Sequence, residues 1–205
     1  MAWPATVDTD NGLTWRNHGR SLPSMRVVAG DLRGRRIEAP TSDATRPTTD
    51  MVREAVFNAL RSLDVVEGAR VLDLFAGTGA MGIEALSRGA AHCVFVERDR
   101  DALVVLKKNI SALGLSDRAS VLAIDAMTAA SRQPDIDLII ADPPYGFDQW
   151  RDLIIDAQAA VVVLESDRAV GAIEGWDTIR EKKYGRTHVA FLQPADVADG
   201  TVEGE

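Results

Sequence analysis

The sequence predicts an α/β fold: a mostly parallel sheet with helices on both faces, ending in an antiparallel pair and preceded by an N-terminal β-hairpin and helix. Two observations carry that expectation. From Ala69 onward, short apolar runs alternate with segments of helical period, the rhythm of strands joined by crossover helices. The first four of these runs lead into an acid, and a glycine-rich turn follows the first, where an open parallel sheet binds its ligand.

Taken in order, residues 1–24 carry Pro, Asn, Gly and Ser without an apolar period and are expected to form a tail, with Trp3 and Trp15 as candidate contact points. Residues 25–64 form an appendage. In it, residues 25–29 and 35–39 flank a turn set by Gly30 and Gly34, and Pro40 ends the hairpin. Pro47 then opens a helix in which Val52, Val56, Ala59, Leu60 and Leu63 recur at helical spacing. Residues 65–194 are the main domain, with strands expected at 71–74, 93–96, 120–124, 138–141 and 160–164. Leu103, Leu106, Ile110 and Leu113 make a helical stripe stopped by Gly114. Residues 178–180 and 188–192 read as the antiparallel pair, and residues 195–205 as an acidic end.

Composition narrows the function. The 205 residues are 46% hydrophobic, enough for one well-buried core with a small appendage. The longest stretch free of Asp, Glu, Lys and Arg, residues 74–83, is too short to span a membrane, and the start of the chain has no secretory signal, so a cytoplasmic protein is expected. A lone Cys93 and the scattered His18, His92 and His188 give no zinc-ligand spacing, so no metal is expected. Net charge is −8, from 31 acids and 23 bases, which argues against generic affinity for polyanions. The N-terminal section is nonetheless locally basic. Arg26, Arg33, Arg35 and Arg36 on the hairpin are candidate phosphate contacts, although a solvated face reads the same way.

The strand-ending acids are Asp73, Glu97, Asp125 and Asp142. Any one alone is commonly structural; four in register would line one crevice. The turn after Asp73 holds Gly77, Gly79 and Gly82 at the offsets of a dinucleotide fingerprint, with Glu97 placed for ribose hydroxyls. Asp73 would repel a pyrophosphate but suits an ammonium group. S-adenosylmethionine fits this pattern, with its cationic groups drawn to the acids, its ribose to Glu97 and its adenine to the loop at Asp125 and Ala126. A nicotinamide dinucleotide and a ligand-free tight turn stay open as alternatives.

Asp142-Pro143-Pro144-Tyr145 is the most informative segment. Two prolines remove two amide donors and fix the backbone, so a carboxylate, a carbonyl and an aromatic ring are held together at a strand end. Asp142 and the Pro143 carbonyl could accept both hydrogens of a nucleobase amine while Tyr145 stacks on the base. A Pro-Pro loop with a packing Tyr is the bland alternative.

Asp73-x-Phe75-x-Gly77-x-Gly79 followed by Asp142-Pro143-Pro144-Tyr145 resembles the class I S-adenosylmethionine-dependent amino-methyltransferases of nucleic acids. Arg26-Val27-Val28-Ala29-Gly30, Arg33-Gly34-Arg35-Arg36, Arg46-Pro47-Thr48-Thr49-Asp50-x-Val52-Arg53-Glu54 and Glu84-Ala85-Leu86-Ser87-Arg88-Gly89-Ala90 are similar to the RsmD type, bacterial enzymes of a guanine N2 in small-subunit (16S) ribosomal RNA. The resemblance implies a Rossmann-like class I methyltransferase fold with a seven-stranded sheet. It implies catalysis at Asp142 to Tyr145, cofactor contacts from Asp73, Phe75, Gly77, Gly79, Glu97, Asp125 and Ala126, and approach of Thr48 and Arg53 to the cofactor. The implied partner is small-subunit ribosomal RNA, assembled or partly assembled. A DNA adenine-N6 or cytosine-N4 methyltransferase, a nicotinamide oxidoreductase and a non-catalytic RNA-binding module are the competing readings. The stretch between Tyr145 and Glu165 is shorter than the family pattern, which predicts a truncated helix around Trp150.

Overall fold

A computed structural model describes residues 25–39 and 50–195. The expected N-terminal tail, Pro47, Thr48 and all but the first residue of the acidic end lie outside the described residues. Nothing among the described helices is long and apolar enough to cross a membrane.

The body is a seven-stranded sheet in the order β5-β4-β3-β6-β7-β9-β8. Its strands are β3 (Arg70–Leu74), β4 (His92–Val96), β5 (Ala119–Leu122), β6 (Leu138–Ala141), β7 (Val161–Ser166), β8 (Trp176–Tyr184) and β9 (Thr187–Pro194). The first five run parallel, whereas β9 is antiparallel to both β7 and β8. The chain builds outward from β3 through β4 to β5 and then returns to β6 on the other side of β3. That reversal opens a crevice at the carboxyl ends of β3 and β6.

Alternation along the strands feeds two cores. Val71, Phe95, Ile140 and Val163 pack under α1 (Asp50–Ser62), α2 (Ala80–Ser87) and α3 (Arg100–Ala112). Leu72, Leu74, Val94 and Ile139 pack under α4 (Ala126–Ala130) and α5 (Trp150–Ile154) on the other face. The α3 helix forms because Asp99 caps it, accepting from the Ala102 amide at 2.8 Å, while Leu103, Leu106 and Ile110 face the core. Helix α2 lies very close to the sheet: a Cβ on Gly82 would stand 2.3 Å from Phe95 Cε1 and 2.6 Å from Cys93 Sγ, so only glycine fits. Cys93 is therefore fully enclosed, and burial pushes its thiol pKa well above the usual value.

The N-terminal hairpin is β1 (Met25–Arg26) and β2 (Arg36–Ile37), two residues each. Such short strands cannot hold themselves. What holds them is α2. Glu84, fully buried, accepts the amides of Val28 and Ala29 at 2.8 and 3.0 Å, and its carboxylate also meets Arg88 at 2.7 Å and the buried Arg53 of α1 at 3.5 Å. The Ser87 hydroxyl accepts the Leu32 amide and donates to the Ala29 carbonyl. Gly30, at φ 81°, lies so near the Ser87 carbonyl that a Cβ would approach its oxygen to 1.8 Å. Asn109 of α3 closes the other arm, accepting the Glu38 amide and donating to the carbonyls of Glu38 and Thr78.

Three sequence expectations shift. The third core strand stops at Leu122 rather than at residue 124, because the chain leaves the sheet and Asp125 caps α4, a helix the sequence reading missed. Asp73 is a strand-internal residue of β3, not its end. The terminal pair is much longer than the two short runs, with a bulge between Thr178 and Arg180 that shifts the register by one residue. Helix α5 has only five residues, as the shortened stretch predicts.

Candidate active site

The four acids do gather at one sheet edge, but each is held differently. Asp73 is 2% exposed and accepts the Gly82 amide at 2.8 Å, tying the glycine turn down from below. Its pKa is pushed up to about 7, chiefly by burial and further by the charges of Asp142 and Glu97, against the opposing help of the Gly82 hydrogen bond. The charges of Asp142 and Glu97 thus act on Asp73 in the same direction as its burial.

Glu97 sits just beyond β4 and clamps the turn from the side. Its Oε2 accepts the Gly77 amide and its Oε1 the amides of Arg98 and Asp99, all at 2.8 Å. Oε2 has acceptor capacity to spare, so a hydroxyl at the mouth of the turn can still bind there. Asp125 uses one oxygen to cap α4 at Met127 and the other to pair with Arg98 at 2.8 Å. Ala126, buried, begins that helix and forms the floor beside it. The glycine turn itself needs left-handed backbone at Gly77 and Gly79, and Phe75 adopts it too at φ 61°. A non-glycine residue in that region is a strained one, of the kind that collects at ligand sites.

On the other side of the crevice Asp142 is half-buried, Pro143 is half-buried, and Pro144 and Tyr145 face solvent, with Tyr145 70% exposed. An exposed ring anchored to a rigid Pro-Pro backbone presents its face to any planar group that enters. A feature the sequence reading missed joins the two halves. Phe75 stacks edge-on against Phe147 at 5.5 Å, and Phe147 likewise against the buried Trp150 at 4.8 Å, so the glycine turn and the segment after Tyr145 share one aromatic wall. The signal was present as Phe147 and Trp150 at a spacing of one helical turn. Among the described residues no group of His, Cys, Asp and Glu is placed to hold a metal ion.

The predicted RNA-contacting arginines lie elsewhere. The hairpin turn rests on Ser87, the last residue of α2, and Arg35 donates to the carbonyl of Ala112, the last residue of α3. Both helices end where β4 and β5 begin, so the hairpin tip stands at the edge opposite Asp142. Arg26, Arg33, Arg35 and Arg36 are all exposed, Arg26 donating to the Gly34 carbonyl at 2.9 Å.

The family described as Conserved hypothetical protein 95 matches residues 25–193, from the first strand of the hairpin to the penultimate residue of β9. The chain belongs to this family. It is the RsmD type to which the sequence motifs pointed. YlbH of Bacillus subtilis (strain 168) is 40% identical over 183 residues, which cover 82% of this chain and 98% of YlbH. The protein named ribosomal RNA small subunit methyltransferase D of Escherichia coli (strain K12) is 36% identical over 188 residues, 86% of this chain and 93% of that one. In three dimensions, yhhF of Escherichia coli superposes with a TM-score of 0.73 at 33% identity, covering 83% of this chain and 98% of that chain. The RsmD-type sheet, with its terminal antiparallel pair, is the Rossmann-like class I methyltransferase fold.

Proposed function

We propose that this chain methylates the exocyclic N2 amine of a guanine in small-subunit ribosomal RNA, using S-adenosylmethionine. The observation that carries this reading is the gathering of Asp73, Glu97 and Asp142 around the glycine turn, where burial first and the two neighbouring charges second push the Asp73 carboxyl up to about 7. Family membership and the name of the Escherichia coli relative support the substrate class. When bound, S-adenosylmethionine supplies an electrophilic methyl carbon together with ammonium and sulfonium charges that suit such a site.

The chain's own residues then have separable tasks. Asp73 and the turn at Gly77 and Gly79 receive the amino-acid end, Glu97 receives the ribose hydroxyls, and Asp125 and Ala126 border the adenine; Phe75 closes the wall behind. Thr48, outside the described residues, would approach from the segment before α1. Asp142 and the Pro143 carbonyl accept the two amine hydrogens, which turns the nitrogen lone pair out of the ring plane, and Tyr145 stacks on the flipped-out base. Asp142 need not be a strong base, because the nitrogen sheds its proton readily once it carries the positive charge. Arg26, Arg33, Arg35 and Arg36 contact phosphates of the same RNA at the far edge.

Transfer of a tritiated methyl group to small subunits from a strain lacking the enzyme tests this, followed by mass spectrometry of the RNA. Product at a guanine N2 is expected. Asp142→Ala should abolish transfer while cofactor affinity stays within a few fold, and binding of NADH in place of S-adenosylmethionine would sink the reading.

A further inference from the structure

A second basic hairpin lies beside the site. The turn between β8 and β9 emerges at the same sheet edge as Asp142, because β9 runs antiparallel to β7 and begins where β7 ends. Between that turn and the end of β7 runs a groove of about 460 Å³ lined by Tyr145, Asp167, Lys183, Gly185, Arg186 and His188. Tyr145 belongs to both this groove and the Asp142 site, so whatever lies in the groove continues into it.

The lining is cationic in net. Lys183 and Arg186 are exposed, and their neighbours Arg180 and Lys182 leave Glu181 as the one acid among residues 180–188. Glu181 faces the His188 imidazole at 3.7 Å, and Asp167 faces the Arg168 guanidinium at 3.7 Å. On a chain of net charge −8 this is a local reversal of sign at the mouth of the site. It differs from the N-terminal hairpin, whose tip lies a full strand length away, about 15 Å for five residues.

We infer that the β8–β9 turn is a phosphate-binding wall, with Lys183 and Arg186 gripping the RNA backbone next to the nucleotide stacked on Tyr145. The inference rests on the proposed reaction for the identity of its occupant. Flipping a base out of a folded RNA strains the backbone on either side, and cations at that place hold the strained phosphates. Gly185 at the apex adds no side chain, and no other atom lies within 4 Å of where its Cβ would be, so a backbone can pass over the turn.

The test is filter binding of small-subunit RNA to the native chain and to Lys183→Ala/Arg186→Ala across a salt series, with S-adenosylmethionine affinity as the control. Both residues are exposed, so the variant is expected to fold and to bind cofactor as the native chain does. The slope of log affinity against log salt should fall by about 2 and the KM for subunits should rise at least tenfold. An unchanged slope and an unchanged KM would overturn the inference. A native chain that binds RNA through this turn and yet transfers no methyl group would overturn the proposed reaction and keep the groove.

Discussion

Two buried carboxylates on neighbouring elements of the molecule have opposite surroundings. Glu84, on α2 and fully enclosed, is met by two backbone amides and two guanidinium groups. Asp73, on β3 and 2% exposed, has one amide and two acid neighbours. The fold supplies everything Glu84 requires, which makes it a fastener between the N-terminal hairpin, α1 and α2. In the proposed reaction Asp73 is the one that a cationic ligand would complete. A buried acid is thus informative about function when its countercharge is missing, and about architecture when it is present.

The sharpest way to break this contrast is to remove each charge in turn. Glu84→Ala leaves two amides without their acceptor and the buried Arg53 with only Asp50 as a countercharge, and should lower stability by about 3–5 kcal/mol in urea unfolding. A loss below about 1 kcal/mol would mean that the hairpin is held by something else. Asp73→Asn should act in the opposite direction. Asp73 ionises near 3.8 when unfolded and near 7 when folded, so the folded chain binds the extra proton and the ligand-free protein loses stability as pH climbs from about 4 to about 7. The asparagine, which keeps an acceptor for Gly82, removes that slope. It should stabilise the ligand-free chain at pH 8 by up to about 4 kcal/mol while abolishing cofactor binding. A variant less stable than the native chain at pH 8 would refute the contrast. By the same logic S-adenosylmethionine should bind more tightly as pH rises through 7, releasing a proton, which calorimetry in buffers of different ionisation enthalpy would detect.

Smaller effects sharpen the comparison. Glu97→Ala gives up both the proposed ribose contact and the clamp on Gly77, and should weaken cofactor binding by about 1–3 kcal/mol; unchanged binding would remove Glu97 from the site. Replacing Arg33, Arg35 and Arg36 together with alanine should weaken RNA binding a few fold and flatten its salt dependence, leaving cofactor affinity intact. A parental salt slope in that triple variant would leave the N-terminal hairpin with a purely structural task.

How much of this was legible in the sequence depended on the range of the interactions. The inner parallel strands could be read because they are buried on both faces and so appear as near-continuous apolar runs, Leu-Ile-Ile-Ala for β6. The four acids could be placed at one edge from the same runs. Glu84 could not be understood, because its partners Val28 and Ala29 lie 56 and 55 residues away, and in Glu-Ala-Leu-Ser-Arg it looks like one half of a surface pair with Arg88. Helix α4 escaped because Ala-Met-Thr-Ala-Ala is too short to show a period. The length of β8 escaped because it is an edge strand, polar on both sides along Glu181, Lys182 and Lys183, which shields its free edge and erases the alternation. The aromatic wall is half visible in the sequence, since Phe75 falls within the glycine-turn motif and Phe147 within none.

The close fit of Gly82 over Cys93 has a practical meaning. The chain's sole thiol lies in the second strand of the sheet, shielded by a helix that cannot retreat without uncovering the glycine turn as well. Alkylation of Cys93 therefore clocks the opening of the helix and glycine turn that cover it, and any compound that settles at the turn should slow the clock in proportion to its occupancy. A mass shift on one cysteine would rank candidate ligands before any turnover assay exists.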